Sequence, residues 1–94
     1  MSLHVLKTWP EYFAALLDGS KTFEVRRYDR PFEVGDTLAL EEYDPARSIW
    51  TGRTLTRRVT YVMTGGKFGV EDGFVVMGLT SPDLSRPHPA ESDQ

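Results

Sequence analysis

The chain has 94 residues, a formal net charge of −3, 39% hydrophobic and 12% aromatic residues, and no cysteine. This is one domain with a small core; a disulfide framework, thiolate zinc and a cysteine nucleophile are excluded, and the composition fits a reducing cytoplasm. The negative total argues against a protein that wraps a long duplex, no apolar run approaches the ~20 residues that span a membrane, and no signal peptide is read at the start.

His4-Val5-Leu6-Lys7 reads as a first strand. Thr8 and Glu11 have capping-box spacing and Pro10 suits a first turn, so a helix is predicted near residues 10–18. Trp9, Tyr12, Phe13, Leu16 and Leu17 recur at helical spacing, which assigns them to an apolar face, and Gly19 ends the helix. From Thr22 to Tyr28 the pattern alternates: Phe23 and Val25 point one way, Thr22, Glu24 and Arg26 the other. Asp29-Arg30-Pro31 breaks that strand, and Val34-Gly35-Asp36 turns into another from Thr37 to Tyr43, with Leu38 and Leu40 on one face. Arg53 to Thr64 is a longer strand. Leu55, Val59, Tyr61 and Met63 share a face, and Arg57 falls on that apolar parity, which predicts a bulge or a paired arginine. After Gly65-Gly66, Gly73 to Leu79 is apolar on both parities and reads as a buried central strand.

From Ser81 the composition shifts to proline, serine and acidic residues. Residues 1–81 are expected to form the domain and 82–94 a disordered tail. Asp83, Glu91 and Asp93 against Arg86 give residues 83–94 a net charge of −2, which leaves −1 for the rest. Near neutrality suits a small ligand or a single nucleotide better than a long duplex. A chain this short also gains from dimerisation, so a homodimer is open to it.

One turn carries chemistry. Gly19-Ser20-Lys21-Thr22-Phe23-Glu24-Val25-Arg26 places Lys21 at the lip of the sheet, with Glu24 and Arg26 two residues apart on one strand face. Opposite charges so placed orient each other and still present hydrogen-bonding groups outward; a solvated face with an ordinary ion pair fits the same pattern. Gly-x-Lys-x-x-Glu-x-Arg is the signature of ASCH domains, relatives of the PUA RNA-binding fold, and Gly19, Lys21, Glu24 and Arg26 match it one for one. Flanking segments, among them His4-x-Leu6-Lys7, Pro10-Glu11-Tyr12-Phe13, Glu42-Tyr43-Asp44 and Thr51-Gly52-Arg53, resemble a small stand-alone branch of that superfamily over roughly residues 4–80. The resemblance implies an α+β fold: a small PUA-like mixed β-barrel of five or six strands, with one N-terminal helix against an opening and a charged cleft lined by the signature.

The resemblance also implies a binding domain for RNA or a nucleotide-like ligand, with Lys21, Thr22, Glu24, Arg26, His4 and Arg53 as ligand contacts and no metal or other cofactor. The alternative is an amidohydrolase acting on an N4-acylated cytidine, as in one branch of ASCH proteins, with Lys21 and Glu24 catalytic. That branch has a threonine where this chain has Glu24, so the matching nucleophile is missing; Glu71 and Asp72 are the nearest candidates for its distant glutamate. Arg27, Arg30, Arg57 and Arg58 add potential phosphate contacts. Trp9 and Tyr12 fit core packing better than base stacking, which makes Trp50 the preferred stacking residue. Glu41, Glu42 and Asp44 lack a metal-ligand spacing and are expected to pair with arginines.

Overall fold

The computed structural model describes residues 1–80, and the expected tail, residues 82–94, lies outside the described residues. The elements are β1 (Leu3–Thr8), α1 (Pro10–Asp18), β2 (Phe23–Arg27), β3 (Thr37–Asp44), β4 (Ile49–Thr64) and β5 (Phe74–Leu79). No described helix is long and apolar enough to cross a membrane.

The strands form one mixed sheet in the order β1-β3-β4-β5-β2, with β1 parallel to β3 and the other neighbours antiparallel. The sixteen-residue β4 joins its two halves: its first part pairs with β3 and its last part with β5. The core sits on one face of this curled sheet, where Leu6, Leu38, Leu40, Leu55, Val59, Val75, Met77 and Leu79 meet Phe13 and Leu16 from α1 and Phe32 from the β2–β3 connection.

The expected α+β barrel is corrected here. β1 and β2 are both edges and share no ladder, so the sheet is not closed. The fold is mostly strand. A helix plugging an opening does not occur either: among the described residues the one short helix follows β1 and links it to β2, and a sheet without closure has no mouth to plug. Alternation and turn residues reveal strands, but which edges pair depends on contacts far apart in sequence.

Several local expectations also change. The N-cap of α1 is Trp9 rather than Thr8, it makes no side-chain cap, and Thr8 ends β1. Gly19, at φ 88°, ends the helix in the left-handed conformation that costs glycine nothing. Of the predicted helical stripe only Phe13 and Leu16 are buried, while Trp9, Tyr12 and Leu17 stay about half exposed. The ladder of β4 shifts register between Val59 and Tyr61 against β5, and between Trp50 and Thr54 against β3, but not at Arg57; the first shift turns Tyr61 out and Val62 toward the core. Arg57 reaches across instead, donating from Nη2 to the Leu16 carbonyl at the end of α1 (2.8 Å). That carbonyl lies in the last turn of the helix, where it also accepts the Gly19 N–H (3.3 Å).

The β4–β5 connection contains a strained residue. Lys67 and Val70 are bridged around Phe68 and Gly69, both at positive φ (55° and 78°). A two-residue hairpin turn of that kind favours Asn-Gly, and a bulky aromatic at its first position is disfavoured. Phe68 is 85% exposed, so packing does not offset the strain. Phe68→Asn should therefore stabilise the domain by roughly 0.5–1 kcal/mol. A thermal melt checks this, and a lowered midpoint would show that the ring is held by contacts.

Candidate functional site

The open seam between β1 and β2 is a cleft of about 570 Å³. β1 contributes Lys7 and Thr8, the start of α1 contributes Trp9 and Tyr12, and the chain around β2 contributes Lys21, Phe23, Glu24, Val25 and Arg26. The cleft exists because α1 connects the two edge strands without filling the space between them.

β2 presents its faces opposite to a simple hydrophobic-in reading. Phe23 and Val25 look out, while Glu24 is only 4% exposed and Arg26 is partly buried beside it. Period-two alternation says only that two faces differ. At an open seam the inward face meets polar edge-strand backbone as well as core, and a charged network satisfies that backbone.

Glu24 stands at the centre of this network. Lys21 Nζ donates to Glu24 Oε1 (2.7 Å) and to the Phe23 carbonyl (2.7 Å). Arg26 Nε donates to Glu24 Oε2 (2.7 Å). From Nη2 the same guanidinium donates to the Lys7 carbonyl (2.8 Å) and the Thr8 hydroxyl (3.3 Å). Arg26 thus bridges the two edge strands where a closed sheet would have backbone pairs. Among the described residues its Nη1 makes no hydrogen bond, so two N–H donors are left over for a ligand.

Apolar walls flank this charged floor. The Trp9 and Tyr12 rings are stacked, with centroids 6.3 Å apart and planes 24° apart. Lys21 Nζ lies 4.8 Å from the Phe23 centroid and 5.9 Å from that of Tyr12, so its charge rests between two ring faces. Two cations (Lys21, Arg26) against Glu24 leave the cleft floor a net charge of +1 in a chain whose total is −3, while the Lys7 ammonium stands over the Tyr43 ring, 4.4 Å from its centroid, and only its carbonyl joins the network. Field lines in such a concavity draw anions toward it despite the overall sign.

The sequence-predicted contacts divide into two groups. Lys21, Glu24 and Arg26 come together in the cleft, while Thr22 is exposed and outside the lining. His4 and Arg53 stand elsewhere. His4 is buried on β1, about 13 Å along the strand from Thr8, with its Nε2 2.8 Å from Asp36 Oδ2. Asp36 also accepts from the Ser2 and Glu33 backbone N–H groups. These bonds, that from His4 first, hold its carboxyl down to about 2. Arg53 forms a two-pronged pair with buried Glu42 (2.9 and 3.2 Å). Thr51 donates to the same carboxylate, and Arg53 followed by Thr51 keeps Glu42 below the usual carboxylate range. The guanidinium carbon of Arg53 lies 4.9 Å from the Phe13 ring centroid, so this arginine covers core. Arg57 and Arg58, like Glu71 and Asp72, are also absent from the lining.

Trp9 and Tyr12 depart from their expected place in the core, and Trp50 stays exposed. Trp9 and Tyr12, expected in the core, line the cleft, whereas Trp50 packs edge-on against Tyr43 at 4.9 Å on β3 and β4. Lys7 and Thr8 were not anticipated at the site. They lie twelve and eleven residues before Gly19, where the signature starts, and Thr8 carries a competing helix-start signal.

The family described as "Domain of unknown function (DUF3850)" matches residues 3–79. The "Uncharacterized 12.9 kDa protein in GpA 3'region" of Escherichia phage P2 is 40% identical over 60 residues, covering 64% of this chain and 53% of that protein. The match thus spans about half the length of that curated relative.

Proposed function

Because the chain belongs to the DUF3850 family, a domain of unknown function, its chemistry has to come from its own cleft, and we propose that this cleft binds RNA or a nucleotide- or nucleoside-like ligand. The observation that carries the proposal is the pairing of half-exposed Trp9, Tyr12 and Phe23 with the Lys21–Glu24–Arg26 network, of net charge +1, in one concavity. Aromatic faces stack bases of any identity, and an oriented guanidinium with free N–H groups reads a carbonyl, ring nitrogen or phosphate oxygen. The resemblance to ASCH domains supports the same reading, since three signature positions meet in the cleft and Gly19 caps the helix that delivers them.

Binding accounts for the geometry better than hydrolysis. Lys21 donates to a carboxylate and to a carbonyl at 2.7 Å, so its Nζ is committed to the network as a hydrogen-bond donor. Glu24 has each oxygen engaged by a cation. Both act as positioning groups for Arg26 and the ligand, in the reducing cytoplasm that a cysteine-free chain suits.

Calorimetric titration of single nucleosides, nucleotides and short RNAs at two salt concentrations tests the proposal, with N4-acetylcytidine turnover followed in parallel by mass spectrometry. Trp9→Ala should weaken binding by roughly 1–3 kcal/mol, the scale of one stacked base. It should leave the melting temperature nearly unchanged, because Trp9 lies outside the core. Lys21→Ala should lower the salt dependence by up to ~0.7 in log–log slope if the ligand carries a phosphate there. Absence of binding to every probe would overturn the proposal, and turnover lost in Lys21→Ala with binding intact would replace it with the hydrolase.

A further inference from the structure

The sheet has a second face, on the side away from the core. Strand register places its residues in rows across β4, β5 and β2. Tyr61, Gly78 and Phe23 form one row, and Met63, Val76 and Val25 the next. Phe74 continues the column of β5 beside Arg27, whose guanidinium carbon lies 4.9 Å from the Phe74 ring centroid. The alternate residues Val59, Val62, Met77, Leu79 and Val75 supply the core, so these rows face outward. Tyr61 is 67% exposed, Val25 50% and Phe23 45%, the last two standing on the edge strand at the rim that this face shares with the cleft.

This face is unusual for a solvated sheet. An antiparallel sheet with one wet side alternates apolar-in with polar-out. Here both parities of β5 are apolar, and its neighbours present Tyr61, Met63, Phe23 and Val25 rather than charges. The two rows contain no charged side chain. Gly78 lies between Tyr61 and Phe23, where the Thr60 hydroxyl and the Tyr61 Cβ take up the space that a side chain would need. Single exposed apolar residues need no explanation, but a contiguous patch marks an interaction surface.

We infer that this outer face of β4, β5 and β2 is a self-association surface that packs against the same face of a second copy of the chain. Two arguments select a second copy. The first is area: the exposed parts of these side chains sum to on the order of 400–600 Å² per copy, so two copies bury about 1,000 Å², the lower bound of a specific interface. The second is charge. A two-fold contact sets a surface against itself, which penalises any excess of one sign. The rows are uncharged, and at the hairpin end Arg27 and Lys67 balance Glu71 and Asp72. A small core gains most from such a partner, since it buries too little apolar surface alone. Sheet-on-sheet packing at about 10 Å is the arrangement that two such faces adopt.

Sedimentation equilibrium of the full chain tests this independently of any ligand. The wild type should dimerise with a dissociation constant on the order of micromolar, as contacts of this size do. Tyr61→Lys and Met63→Lys, both outside the cleft and the core, should each raise that constant about tenfold or more. Hydrogen exchange of the unmodified chain adds a readout that does not depend on a variant folding: amide protection in β2, β5 and the end of β4 should rise with protein concentration. A wild type that stays monomeric at about 100 μM, where such a contact would associate, overturns the inference. So does a dimer that both variants leave intact, because its interface would then lie elsewhere.

Discussion

Asp36→Ala should cost the domain roughly 3–5 kcal/mol, the scale for breaking a buried charged network, and leave it largely unfolded near body temperature. Asp36 is buried and accepts three hydrogen bonds, from His4, from the Ser2 backbone and from the Glu33 backbone. It thereby ties the start of β1 to the turn that feeds β3. Alanine would leave those donors without a partner in a dry place, which costs more than the bonds themselves contributed. Thermal or urea unfolding gives the answer, and a midpoint within a degree or two of wild type would show that solvent replaces the carboxylate.

The same residue sets an acid response with a definite sign. Its folded pKa is depressed from 3.8 to about 2, chiefly by the His4 hydrogen bond and then by the Ser2 N–H. A group depressed in the folded state contributes stability that is fully present above its unfolded value and lost as pH falls toward the folded one. Wild-type stability should therefore hold above about pH 4 and decline between 4 and 2. Glu42 and Asp18 are shifted the same way, Glu42 by Arg53 and Asp18 by Ser20. An Asp36→Asn variant should accordingly keep part of the slope rather than none. Urea midpoints at a series of pH values separate the contributions, and an identical slope in Asp36→Asn would remove Asp36 from the account.

Glu24→Ala is the second large effect, and it joins fold to function. The carboxylate holds Lys21 and Arg26 together, and Arg26 in turn bonds the Lys7 carbonyl across the open edge. Without Glu24 two partly buried cations face each other unneutralised, and the bridge between β1 and β2 loses its orientation. We expect roughly 2–4 kcal/mol of destabilisation, near the lower range for one partner lost from a buried pair. Ligand binding should fall at least tenfold, since Arg26 would no longer be held in register. Arg26→Ala should cost less, about 1–2 kcal/mol of stability, because it leaves Glu24 still paired with Lys21. A double-mutant cycle between Glu24 and Arg26 measures the coupling, expected at roughly 1–3 kcal/mol. A coupling near zero would reduce the network to independent surface charges. Loss of binding without loss of stability would make Glu24 a ligand contact rather than a brace.

Much of this was present along the chain. Period-two runs placed the strands, Gly19 placed the end of α1, and the signature spacing singled out Lys21, Glu24 and Arg26 before any geometry was known. These are local properties: a backbone conformation or an alternation is encoded within a few residues and survives most contexts. Other features depended on residues far apart. His4 found Asp36 at a separation of 32 positions, Arg57 found the Leu16 carbonyl at 41, and Arg26 found Lys7 at 19. The inward parity of β2, the roles of Trp9 and Tyr12 and the unclosed edge belong to the same class. Alternation establishes that a strand has two unlike faces, but the neighbour that packs on one of them decides which is buried. For β2 that neighbour is a gap between edge strands lined with polar backbone, so Glu24 and Arg26 turned inward while Phe23 and Val25 went out. The strands, the helix end and the charged triad are local features written along the chain; that the triad bridges an open seam follows from the packing of distant elements, because burial is a property of the assembled surface and not of the residue.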